Sequence, residues 1–295
     1  MKKQAKGYFW TIIGVLFIVA AAARIVFPGE ELTHANITSR ASSRPEWEID
    51  VPDETTQEQI DAILAQPFFY LDEGGQSYVF SSADQKYVLK LFKFQRFHPY
   101  FFIQALPDIF PFHSFRHNHI EKRKQKLIAA FRGYKLAYER HRKESELLFI
   151  QLNPTTSSTT LTVFDKYHRE RKINLTNVPY VLQKKGEILS MDLAKILDAE
   201  DLQTAKKRID QVFRLYLSEY QKGIYDLDHG IMHNIGSSEN TLFHLDVGKL
   251  VYNEEIKKPE FYKKDLNKIT IKLQFWIDQR YPQYSQELTE YIDNY

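Results

Sequence analysis

The chain changes pattern near residue 186. Before that point short β-rich runs alternate with turns around one long helical stretch; after it helical periodicity dominates. Pro67–Leu71 and Tyr78–Phe80 flank Gly74-Gly75 as the arms of a hairpin, and Lys86–Phe92 follows as a third strand. His117 to about Phe149 is rich in helix formers, contains no proline and holds a single glycine, Gly133. Leu161–Phe164 and Pro179–Gln183 read as two further strands with a charged hairpin between them. Met191–Gln221 is helical with a break near Ala199, and Val212, Leu215, Tyr216 and Tyr220 share one face. Phe261–Tyr295 is helical again. The expected fold is therefore α+β and two-lobed. A five-stranded antiparallel lobe with one long helix spans 55–186, and a compact helical lobe spans 187–295.

Composition narrows the function classes. The 295 residues suffice for one large domain or two lobes, and 43% apolar content with 21 Phe and 18 Tyr supplies a core. A net charge of +2 gives no support to nucleic-acid binding as the main task. The absence of cysteine removes disulfides, thiolate metal sites and Cys nucleophiles.

Residues 1–28 are predicted to be a transmembrane anchor or a signal segment. Lys2, Lys3 and Lys6 precede an uncharged run from Gly7 to Ala23, close to the lower limit of about 17 residues for a bilayer span. Ala20–Ala23 also fits a signal-peptide cleavage site, so both readings stand. The anchor reading makes this a single-pass protein of a membrane, the bacterial inner membrane, with the lipid bilayer as a partner. Polar residues 29–54 are predicted to be a linker.

The chemistry-bearing residues fall in an order of their own. Leu71-Asp-Glu-Gly74-Gly75-Gln-Ser77-Tyr-Val79 is a short loop whose small residues would let backbone amides approach phosphate oxygens. Lys90 follows on the third strand. Glu144 lies before the turn at Pro154, with Glu139 and Glu146 as alternatives for the same role. Gly223-Ile-Tyr-Asp226-Leu-Asp228 leads to Asn234, and Leu245-Asp246-Val-Gly248 comes twelve residues after Asn234. His229 and His233 flank the acidic loop without further ligands at zinc spacing.

Over residues 66–250 this order resembles the protein kinase-like superfamily in a divergent bacterial form, and is similar to membrane-anchored proteins of chlamydia-type bacteria. The resemblance implies ATP and Mg²⁺ as cofactors. Gly74, Gly75 and Ser77 would cover the phosphates, Lys90 would neutralise them with Glu144 as its helix partner, and Asn234 and Asp246 would hold the metal. Asp228 would act as the catalytic acid–base residue, with Asp226 orienting its loop. The chain departs from the family pattern in three places. Asp72 stands where a glycine is usual, six positions rather than five separate Asp228 from Asn234, and only 47 residues follow Gly248. The implied activity is phosphate transfer to a hydroxyl on a lipid, sugar or protein. The rival expectation is a catalytically inactive pseudokinase serving as a binding or scaffold module, and a third is a purely structural protein.

Overall fold

A computed structural model of the chain describes residues 31–50, 56–156, 159–239 and 241–294. Its N-terminal half is built on a mixed seven-stranded sheet of order β4-β7-β3-β2-β1-β5-β6. The strands are β1 (Pro67–Glu73), β2 (Ser77–Ser82), β3 (Tyr87–Phe92), β4 (Leu147–Gln151), β5 (Thr160–Phe164), β6 (Glu170–Asn174) and β7 (Tyr180–Lys184). The expected five-stranded antiparallel lobe is thus corrected. Of the five expected strands only β1, β2, β3 and β7 form an antiparallel run; β5 pairs with β1 in parallel, Phe68 opposite Val163, and two further strands, β4 and β6, form the sheet's edges.

Two segments account for the difference. The sequence pattern of the long helix runs on to about Phe149, into what is β4 (Leu147–Gln151). That helix, α2 (Phe112–Arg140), stops earlier, and after one short turn Glu146 takes a left-handed φ of 49°. This conformation disfavours further helix, and the apolar Leu147–Ile150 run enters the sheet beside β7. The second segment is β6, whose Glu170-Arg-Lys exposes its charges and buries only Ile173. Such a strand has too little apolar alternation to stand out in a sequence. The turn before it is held by Asp165, which accepts hydrogen bonds from the Tyr167 and Arg169 amides at 2.9 and 3.0 Å.

An earlier helix, α1 (Gln57–Leu64), opens with a capping box between Thr56 and Gln59 and buries Ile60, Ile63 and Leu64 against one face of the sheet. The opposite face is covered by α2 through Phe131, Tyr134 and Ala137, which pack on Phe92, Ile150 and Val181. The same cluster contains Ile224, Val247 and Leu250 from the C-terminal half, so one core joins the two halves.

The C-terminal half is not purely helical. Helices α3 (Leu189–Asp198), α4 (Leu202–Gln221), α5 (Pro259–Arg280) and α6 (Pro282–Asp293) bury a core that includes Leu193, Phe213, Tyr216, Ile269 and Leu288. Two small sheets accompany them. β8 (Glu187–Ile188), β10 (Ile235–Ser238) and β11 (Thr241–His244) form one, and β9 (Ile224–Asp226) pairs with β12 (Leu250–Tyr252) in the other. These short strands carry the acidic loop and Asp246, so the sheets rather than the helices position the chemistry.

The single-pass membrane placement is also corrected. Among the described residues no helix is long and apolar enough to cross a membrane. The longest, α2, has 29 residues but carries Arg116, Lys122, Arg123, Lys124 and Lys126 along its first half. The predicted anchor or signal segment, residues 1–28, lies outside the described residues.

Candidate functional site

A cavity of about 760 Å³ lies between the sheet and the C-terminal half, within the size range of small-molecule sites. Its wall includes Gly74, Ser77, Lys90, Tyr134, Asn234 and Asp246. Of the residues expected to act on a phosphate, Gly74, Ser77, Lys90, Asn234 and Asp246 thus share one wall, coming from the β1–β2 hairpin, β3, the turn before β10 and the segment after β11.

The hairpin forms one edge. The Gly74 amide donates to the Ser77 carbonyl at 3.0 Å, and the tip is fixed by the Lys93–Glu73 ion pair at 3.0 Å. A Cβ at Gly74 or Gly75 would meet no atom within 4 Å. Neither packing nor a positive φ therefore requires glycine here; what the pair provides is bare backbone at an open loop. Gly74 lines the cavity and Gly75 is not part of its wall. Asp72 lines it too, and its carboxylate accepts from the neighbouring Glu73 amide at 2.7 Å.

Lys90 sits mid-strand, opposite Val79 and Val181, and is almost fully buried. Its ammonium donates to the Leu245 carbonyl. Burial pulls its pKa from the usual 10.5 down to about 8, and the Asp246 charge offsets part of that effect. Glu144 does not face Lys90. It is bonded to Lys222 and Ser218, and its other oxygen lies 3.4 Å from His141. The helix wall beside Lys90 is instead Tyr134, whose hydroxyl is kept protonated by burial and by the charge of Asp246.

Asp246 accepts a hydrogen bond from the Gly248 amide at 3.0 Å, closing a tight turn. Leu245 donates to the Asn234 carbonyl at 2.7 Å, which fixes the two oxygen-donor residues relative to each other. Gly230 leaves room for the Asn234 side chain, since a Cβ there would stand 2.7 Å from Nδ2. An amide oxygen and a carboxylate facing a buried cation suit a hard divalent ion carrying a phosphate chain. A further polar atom near this turn lacks a partner: Gln76 Oε1 is buried without a hydrogen bond, and Gly248 leaves it space, since a Cβ there would lie 3.1 Å away.

The acidic loop stands just outside the cavity. Asp226 is buried, its Oδ1 accepts from the Asp228 amide at 2.8 Å, and burial pushes its pKa up. That geometry orients the loop. Asp228 does not line the cavity; its carboxylate pairs with Lys249 at 2.8 Å and reaches the wall through Asn234. The Lys249 hydrogen bond holds Asp228 below the usual carboxylate range. His229 turns away to Asp265 at 2.6 Å.

Gly133 escaped functional reading of the sequence. A Cβ there would lie 2.5 Å from the Val247 carbonyl oxygen and 2.8 Å from the Gly248 carbonyl carbon. The missing side chain lets α2 rest directly on the Asp246 turn. The visible signal was a lone glycine inside an otherwise uninterrupted helical pattern. Tyr134 carried no such signal, because a tyrosine among helical aromatics looks like any core residue.

No protein-family model matches the chain. No curated protein matches it either.

Proposed function

We propose that the cavity binds a nucleoside triphosphate, ATP, with Mg²⁺, and that the protein is a kinase-like phosphotransferase acting on a hydroxyl acceptor. The observation that carries this reading is the shared cavity wall of Lys90, Asn234 and Asp246, with Lys90 far in the chain from the other two. Lys90 supplies the buried positive charge for phosphate oxygens, and the bare backbone at Gly74 lets them approach. Asn234 and Asp246 are the oxygen donors for Mg²⁺, which when bound neutralises charge on the phosphates.

The acceptor oxygen would form a bond to the terminal phosphorus while the bond to the bridging oxygen breaks and the diphosphate leaves. Asp228 receives or orients the acceptor's proton. Its ionised state, secured by Lys249, makes it a weak base, which suffices where proton transfer lags behind phosphoryl transfer.

A second reading, nucleotide binding without transfer, is favoured by one observation: Lys90 bonds a backbone carbonyl and the expected Glu144 lies elsewhere. Melting the protein with and without Mg·ATP separates the cases. Ligand at about 100 times its dissociation constant adds roughly 2.7 kcal/mol. A shift accompanied by phosphate transfer, with transfer lost in Asp246→Asn, supports the first reading. A shift without transfer supports the second, and no shift with any nucleotide and Mg²⁺ rejects both.

A further inference from the structure

Behind the cavity lies a cluster of side chains that phosphate chemistry does not use. His141 follows the end of α2, Glu219 is on α4 and His244 ends β11, and all three are completely buried. Both imidazoles turn Nε2 toward the same carboxylate oxygen. His141 Nε2 is 2.9 Å from Glu219 Oε1, and His244 Nε2 also contacts it. The ligand-type atoms of the three all lie within 4.8 Å of one another.

We propose that His141, Glu219 and His244 form a structural zinc site. Two imidazole nitrogens and a carboxylate oxygen are a donor set that suits Zn²⁺, a borderline-soft ion that favours tetrahedral coordination.

Unsatisfied groups around the three argue for an ion rather than a simple hydrogen-bonded triad. Glu219 Oε2 and His244 Nδ1 are buried without hydrogen-bond partners, and so are Asp226 Oδ2 and the Tyr216 hydroxyl. Buried polar atoms seldom remain unpaired, and several at one place need an explanation. Glu219 is a fully buried carboxylate whose ion-pair partners among the described residues are the two histidines alone. Asp226, itself buried, couples electrostatically to both Glu219 and His244. A zinc ion would bind the imidazoles in their neutral form and neutralise the buried Glu219 carboxylate. A water is the natural fourth ligand.

The surroundings fit as well. His141 Nδ1 points toward Glu144 Oε2 at 3.4 Å, and Glu144 is held by Lys222 and Ser218. His141 Nδ1 makes no hydrogen bond at this separation, but a small turn of the Glu144 carboxylate would give the carboxylate–imidazole pair that usually orients a metal-bound histidine. This gives Glu144 a positioning role in place of the one expected from the sequence. Gln183, fully buried on β7, donates to the Ser145 carbonyl at 2.6 Å and the His244 carbonyl at 2.7 Å, fixing the backbone on both sides. The site would staple α2, α4 and β11 two residues before Asp246, and it stands whether or not the cavity turns over nucleotide.

The test is metal binding itself. The full chain is purified without chelator and assayed for zinc, then stripped and titrated with Zn²⁺ or with Co²⁺ as a spectroscopic probe. The expected result is one equivalent bound, tetrahedral Co²⁺ absorption bands and a higher Tm on reloading. Glu144→Gln should weaken the metal about 10–100-fold, while His141→Gln should abolish the cobalt bands. If these variants do not fold, the titration of the unaltered protein decides alone. A stripped protein that keeps its Tm and takes up neither ion at large excess overturns the proposal and leaves a histidine–glutamate ion triad.

Discussion

Lys90 shows how a single residue can oppose stability for the sake of a site. Its charge is buried on a central strand, and its pKa of about 8 lies below the ordinary 10.5. The sign follows from proton binding. Between about pH 8 and 10.5 the unfolded chain holds a proton that the folded chain has released, so stability rises with pH across that window. Below it the full penalty applies, on the order of 3 kcal/mol for such a difference. Lys90→Met should therefore stabilise the protein by about 1–3 kcal/mol near neutral pH, after the loss of one hydrogen bond. It should also flatten the rise in stability between pH 8 and 10.5 and remove any thermal shift caused by Mg·ATP. Denaturant titrations over pH, with and without nucleotide, check all three. Lys90, Asn234 and Asp246 were legible because cations, amides and carboxylates at those spacings have few shared uses. Glu144 was not, since a charged helix end offers several acids and only three-dimensional packing decides which way each points.

At the scale of elements, the contact between α2 and the Asp246 turn rests on Gly133. Replacing a mid-helix glycine by alanine ordinarily gains about 0.5–1 kcal/mol. Here the new Cβ would meet a backbone oxygen at 2.5 Å. A carbonyl cannot swing aside as a side chain can, so the clash outweighs the propensity gain. Gly133→Ala should destabilise by about 1–3 kcal/mol, with a lower denaturant midpoint and weaker nucleotide binding because the Asp246 turn is displaced. A higher midpoint would show that the helix can shift freely. Element boundaries were the least legible part of the fold. The order of β1, β2, β3, the long helix, β5 and β7 could be read because each has a strong apolar signal. β4 was concealed by following closely on helical residues, and β6 by having three charged residues in five. The parallel pairing of β1 with β5 depends on which sheet edge is vacant, a tertiary matter on which local sequence is silent.

The whole molecule is held together by the core that α2 shares with both halves. Phe92 and Phe131 stand at 5.1 Å between ring centroids, Trp47 meets Phe131 edge-on at 5.6 Å, and Val247 and Leu250 of the C-terminal half complete the cluster. Since neither half can expose this core without loss to the other, the protein should unfold in one transition. Trp47 lies in the first half and Trp276 packs near Tyr281 in the second. Variants retaining only one of these tryptophans should give the same denaturant midpoint by fluorescence, and separate midpoints would mean independent halves. The charged outer strand β6 has another consequence, for encounters between copies of the molecule. Glu170, Arg171 and Lys172 form a solvated fringe along that rim, and an incoming peptide could extend the hydrogen-bond ladder there only by stripping water from all three. The rim thereby acts as a guard against fibrous self-association, even though its backbone groups lie open on one side.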